Sequence, residues 1–367
     1  MAAPNPASQI LANASVRHQV FLERLKRGQS KKAQAFLVEM DRALRLRIGA
    51  TEFQRGRIEA QLSAIAADLR AIRGRADTAL LSEMRDIAEY EAGFEIRALG
   101  TITTNYTVAA PTQVYAAALS KPLSLRGPGG GKLIEPFVRG WSDTMVTNTI
   151  DTIRQGFFEG QTNAAILQAI RGTTAARNED GLLARMSRSE EALVRTAVQH
   201  MASVAREEVW QANDDLVTGV QWLSVLDDRT TTVCQSLSGQ IFPLDSGPRP
   251  PIHPGCRSST TPAIDPKFAF LSKNAQQSSL FGPVDAKETY YSWLKKQDAG
   301  FQDEAIGPMR AKLLRDGGLS AERFAELNIG KNYNPLTLDR MREIEPLAFE
   351  RESRFEHDEL GAVLAIA

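Results

Sequence analysis

Apolar residues recur at every third or fourth position through most of this chain, and at every second position in one short stretch near residue 220. The first pattern is that of amphipathic helices and the second that of a half-buried strand. Leu37, Met40, Leu44 and Ile48 keep the helical spacing. Ile58, Leu62, Ile65, Leu69 and Ile72 follow as a short heptad seam, and Leu80, Met84, Ile87 and Phe94 continue it. Two or three amphipathic helices are therefore expected between about 16 and 99, packed as a hairpin or bundle. The start, residues 1–15, is small and polar and reads as flexible.

The pattern breaks at 101–140. "TITTNYTV" is β-branched and reads as extended. "LRGPGGGKLIEP" reads as a flexible joint. It fails as a phosphate loop, because Arg126 stands where the first glycine belongs and Leu133 replaces the Ser/Thr that would reach a magnesium ion. Helical spacing resumes over 141–213, with a break at Gly160 and a stop at Gly172. "SRSE", Ser187 to Glu190, predicts a capping box that opens the next helix. Val194, Val198, Met201, Ala205 and Val209 form an apolar stripe on that helix, with His200 beside it.

Near residue 216 the character changes. "GVQWLSVL" and "GQIFPL" predict two short strands around a loop, followed by the proline-rich "PPIHPGCRS" at 250–258. Beyond 266 the spacing returns to short helices. The predicted fold is α+β and mostly helical. A helical N-terminal region (1–125) precedes a helical hairpin (126–215), which leads into a small β-unit with a Cys/His loop (216–266). A short-helix C-terminal extension (267–367) completes the chain.

Lys and Arg total 44, as do Asp and Glu, but the charges are not evenly spread. Residues 1–75 carry fourteen basic and six acidic side chains, and residues 285–367 carry twelve basic and sixteen acidic. A basic head and an acidic end point to different partners for the two ends, or to two solvated helix surfaces. No apolar run approaches the roughly 20 residues that span a bilayer, so no membrane segment is expected. The N-terminus lacks a secretory pattern and there are two cysteines, which argues against a disulfide framework and for a reducing cytoplasm.

The two cysteines and a histidine nevertheless raise a chemical question. Cys234, His253 and Cys256 follow a C-x18-H-x2-C spacing. Thiolate and imidazole are the ligands zinc prefers, and a metal staple stabilises a small β-unit. Asp227 or Asp228 is the nearest candidate for a fourth ligand. The same residues also read as two buried cysteines beside a stiff turn, or as a disulfide or a catalytic thiol. HExxH and the deaminase pattern are absent from the sequence.

Taken together, "WLSVLDDRTTTVCQSLSGQIF" and "PPIHPGCRSST" resemble the signature of phage head morphogenesis proteins, the Mu protein F-like minor head proteins. The resemblance is carried by Trp222, Asp227 or Asp228 with Arg229 and Thr230, Cys234, Leu237, Gly239, Pro250, Pro251, His253, Cys256 and Arg257. It extends over roughly 135–350, including the helices before the signature. Some members of that family have further cysteines where Thr231 and Ser258 stand here, so a four-ligand zinc site is incomplete. The resemblance implies a minor structural protein of a tailed-phage head, made in the host cytoplasm and located in the virion, at the portal vertex or in the capsid interior. It implies the portal and other head proteins as partners, a role in head assembly with passage alongside DNA at ejection, and no catalysed reaction. The basic N-terminal helices would then face either DNA, contacted without sequence preference, or an acidic portal surface. The rival expectation is a zinc-assisted hydrolase or nuclease, or a toxin delivered by the virion.

Overall fold

The computed structural model describes residues 6–50, 53–127, 129–264, 276–285 and 287–353. The first five residues of the expected flexible start, and residues 354–367 of the acidic end, lie outside them. The fold is mostly helical α+β. Two long helices come first, α1 (Pro6–Gly49) and α2 (Ile58–Leu99), so residues 6–15 belong to a helix rather than to a flexible arm. Cross-pairs run in opposite directions along the two: Arg47 with Asp68, Lys32 with Glu83 and His18 with Glu91. The pair is thus an antiparallel hairpin.

A short α3 (Pro111–Ser120) precedes α4 (Ile134–Phe158), α5 (Asn163–Arg171) and α6 (Leu182–Gln211). The "TITTNYTV" segment joins no sheet. It begins as a turn bonded back to Ala98 and Leu99, and its far end is held by Asn213, whose side chain accepts from the Thr107 N–H at 2.6 Å and donates to the Thr107 carbonyl at 3.0 Å. An asparagine thus replaces a neighbouring strand. The capping box at Ser187 is not a helix start either. The helix begins at Leu182, and Leu182 and Met186 already sit in a buried cluster with Leu37, Ile65 and Ile150. The apolar stripe therefore starts one turn earlier than the "SRSE" signal.

Beyond α6 come β1 (Val217–Leu223), a one-turn helix α7 (Thr232–Leu237), β2 (Ile241–Phe242) and β3 (Ser259–Ile264). They form a three-stranded antiparallel sheet in the order β2-β1-β3, with Gln221 opposite Ile241 and Trp222 opposite Thr260. Both predicted strands are present. The third was hidden in "SSTTPAI", and the segment read as a loop around Cys234 is the helix α7. Gly219 is needed where β1 meets β2, because a Cβ there would stand 2.7 Å from the Phe242 carbonyl oxygen.

A hairpin of β4 (Gln276–Ser279) and β5 (Gly282–Asp285) leads to a series of short helices, α8 (Tyr290–Leu294), α9 (Ala299–Ile306), α10 (Pro308–Asp316), α11 (Ala321–Asn328) and α12 (Leu338–Ile344), with a further helical stretch over 346–353. Ser320 and Thr337 cap α11 and α12 through their hydroxyls, as expected of N-cap residues.

One buried cluster runs without a break from the helices into the sheet unit. It contains Val194, Val198, Met201 and Trp210 of α6 together with Val220, Trp222, Cys234, Ile252 and Cys256. The bundle is thus the floor on which the Cys/His loop is built. His200 is buried in α6, and its ring nitrogen Nε2 lies 3.1 Å from the Ala118 carbonyl.

Candidate metal centre

The loop that carries His253 and Cys256 is a tight turn. The Cys256 N–H donates to the His253 carbonyl at 3.2 Å, with Pro254 and Gly255 between them and Gly255 at φ +70°. Proline then glycine in those places is the chemistry of a type II turn, whose second corner needs positive φ. The turn sends both side chains to one side of the loop.

Three contacts fix the loop on the rest of the molecule. The Gly255 N–H donates to Thr196 Oγ1 of α6 at 2.9 Å, and the Arg126 N–H donates to the Ile252 carbonyl at 3.0 Å. Arg249 pairs with Glu207 of α6 at 3.1 Å and donates to the carbonyls of Pro243, Leu244, Ser246 and Pro248. Arg126 therefore works as a backbone anchor, not as a phosphate-loop residue. Its guanidinium lies over the Tyr333 ring, 4.9 Å from the centroid.

Cys234 arrives from α7. Ser224 Oγ donates to the Cys234 carbonyl at 2.5 Å and accepts from Trp222 Nε1 at 3.1 Å. The strand residue and the helix residue are thereby locked together.

The result is convergence of three donor atoms. Cys234 Sγ lies 3.3 Å from His253 Nε2 and 3.8 Å from Cys256 Sγ, and all three donors lie within 4.8 Å of one another. The two thiols are free at that separation, since bonded sulfurs stand about 2.05 Å apart. The two distances from Cys234 are close to the edges of a tetrahedron instead. Sulfur at about 2.3 Å from a zinc ion gives S···S edges of about 3.8 Å and S···N edges of about 3.5 Å. His253 Nδ1 lies 3.0 Å from the Pro254 carbonyl, which accepts its proton and leaves Nε2 to face the sulfurs. That is the outer hydrogen bond that orients a metal-ligating imidazole. The three donors could therefore hold a metal ion between α7 and the proline loop, with no Cys, His, Asp or Glu among the described residues as a fourth ligand.

The two sulfurs do not share charge equally. Cys256 is held well below its ordinary thiol value, first by the hydrogen bond from Cys234 and then, against the cost of burial, by His253. Cys234 is pushed up, first by that same bond with Cys256 and then by burial. Burial works against a charged His253 ring, but the neighbouring Cys256 outweighs it and raises its pKa. The surroundings thus favour the thiolate form at Cys256 over Cys234, and the thiolate is the form that ligates a metal.

Neither Asp227 nor Asp228 joins the trio. Asp227 is taken: Arg257 grips it through Nη1 at 2.5 Å and Nη2 at 2.8 Å, Thr230 Oγ1 donates at 3.0 Å and the Arg229 N–H at 3.1 Å. Its own carbonyl accepts from Tyr290 Oη at 2.7 Å. Thr231 and Ser258, the hydroxyl residues, lie instead against the trio. Thr231 Oγ1 is 3.1 Å from His253 Nε2, and the Thr231 and Ser258 hydroxyls work against the rise in the Cys234 pKa. Sequence spacing gave no sign of Thr196, Ser224 or Tyr290, because each lies in a segment whose local pattern reports only a helix or a strand.

The chain matches no protein-family description, no curated protein and no solved structure.

Proposed function

We propose that this chain is a minor structural protein of a tailed-phage head that docks at the portal vertex. The observation that carries the reading is how the signature residues are used. Trp222, Asp227, Thr230, Cys234, His253, Cys256 and Arg257 are spent on one another and on the bundle beneath them. Residues used this way hold a shape, and a shape that positions loops is what an assembly protein needs. The zinc-hydrolase and nuclease alternative needs a free acid or base near the metal position, and Asp227 is committed to Arg257. The catalytic-thiol alternative needs an accessible sulfur, and Cys256 is 0% exposed. A role in assembly leaves the metal centre as a fastener: it holds the β-unit on α6 while the surrounding surface meets a partner.

The test is co-expression of the chain with the portal protein of the phage element that encodes it. Retention of the portal on the tagged chain through size-exclusion chromatography supports the reading. Separation of the two, together with metal-dependent cleavage of nucleic acid by the purified chain, replaces it with the nuclease.

A further inference from the structure

The long helix α1 turns one face inward and leaves the other bare. Leu22, Leu37, Met40, Leu44 and Ile48 define the buried line. At about 100° per residue, Arg24, Lys31 and Arg42 fall within about 20° of one another on the side opposite that line, and Arg27 flanks them. All four are exposed. At about 1.5 Å per residue the line from Arg24 to Arg42 is about 27 Å long.

The acids of this part of α1 do not neutralise the line. Glu23 is held by Lys26 and Arg195, Glu39 by Arg75, and Asp41 by Arg45 and Arg171. Each carboxylate is thus spent on a cation outside the stripe. Arg24, Arg27, Lys31 and Arg42 have no ion-pair partner among the described residues. The basic excess of the N-terminal region is therefore concentrated as a one-sign line on the outer face of one rigid helix.

We propose that this face of α1 binds the phosphate backbone of duplex DNA without reading its sequence. A row of long cationic side chains gains its affinity by releasing condensed counterions, and it needs neither a cavity nor shape complementarity. An acidic protein is the poorer fit. A stable protein interface needs an apolar centre of substantial area, and the apolar side chains set between Lys31 and Arg42 on this line are only Ala35 and Val38. The inference rests on α1 and not on the portal reading, so either stands if the other fails.

The test is fluorescence anisotropy of the full-length chain with a short random-sequence duplex. Four phosphate contacts predict a loss of affinity on the order of 100-fold between about 50 and 200 mM salt. The variant carrying Arg24→Gln, Arg27→Gln, Lys31→Gln and Arg42→Gln is expected to lose most of that salt dependence and to bind weakly at low salt. A control with the same charge loss at the exposed, ion-paired Arg139, Arg188, Arg323 and Arg340 is expected to keep both. The proposal is overturned if the control weakens as much as the stripe variant, or if the stripe variant binds like the unaltered chain. It is also overturned if polyglutamate binds as tightly as DNA, which would make the partner an acidic protein.

Discussion

Arg257 and Asp227 meet through two hydrogen bonds, at 2.5 and 2.8 Å, and join the end of the Cys/His loop to the turn that follows β1. The pair is largely buried, with side-chain exposures of 19% and 12%. It is the contact that lets the loop and the sheet behave as one piece.

Removing one partner leaves the other charge without its counterpart. Arg257→Ala is expected to cost about 3 kcal/mol, the low end for a broken buried pair, because one edge still meets water. Urea denaturation measures it. A loss under about 0.5 kcal/mol, the size of an ordinary surface substitution, would mean that the pair holds nothing.

The same pair sets a pH dependence. Burial works against ionisation of Asp227, but Arg257, Thr230 and the Arg229 N–H outweigh it and lower its pKa below the ordinary 3.8. A depressed carboxylate stabilises the fold above its unfolded pKa and loses that contribution as pH falls through the folded value. The stability difference between the native chain and Asp227→Asn is therefore expected to be constant at neutral pH and to shrink below about pH 4. A difference that does not change with acid would contradict the geometry.

His200 titrates in a higher window. Burial depresses it from 6.5 to about 4, and the Ala118 carbonyl only partly compensates. A depressed histidine is neutral in the fold and charged in the unfolded chain between those values, so stability falls as pH drops from 6.5 toward 4. The expected loss is on the order of 3 kcal/mol. His200→Gln should flatten that part of the stability profile. An unchanged slope would place the acid sensitivity elsewhere.

Trp222 is 0% exposed and shares the cluster of Val198 and Met201. Trp222→Ala is expected to cost about 3–5 kcal/mol. A loss below about 1 kcal/mol in chemical denaturation would show that the strand does not pack on the bundle.

Much of this architecture was legible in the chain, because period and composition report directly on burial. The seam from Ile58 to Ile72 is a buried line of α2, and the alternation around Trp222 is β1. The candidate trio was also legible, since thiol and imidazole side chains near prolines are few enough to be noticed. What failed was decided by tertiary contact. Ser187 has the chemistry of a cap, but the apolar stripe that fixes the helix start lies upstream at Leu182 and Met186. "TITTNYTV" has the composition of a strand, but its partner is one asparagine side chain. Asp227 had the chemistry of a ligand, and only the fold reveals that Arg257, thirty residues away, occupies it.

Zinc is testable without any assumption about function. Protein purified with zinc present should carry about one ion per chain by elemental analysis. Cys234→Ser and His253→Ala should each remove it, and chelation should lower the thermal midpoint of the native chain. Substoichiometric metal in a folded, reduced protein would leave the trio as a thiol–imidazole contact.

The proposed place of the chain in a phage head is tested most directly by quantitative mass spectrometry of purified particles from the element that encodes it. The account predicts the chain in the head fraction at a small number of copies relative to the major capsid protein, retained when tails are removed. Its absence from intact particles, with normal heads formed by a strain lacking the gene, would contradict it.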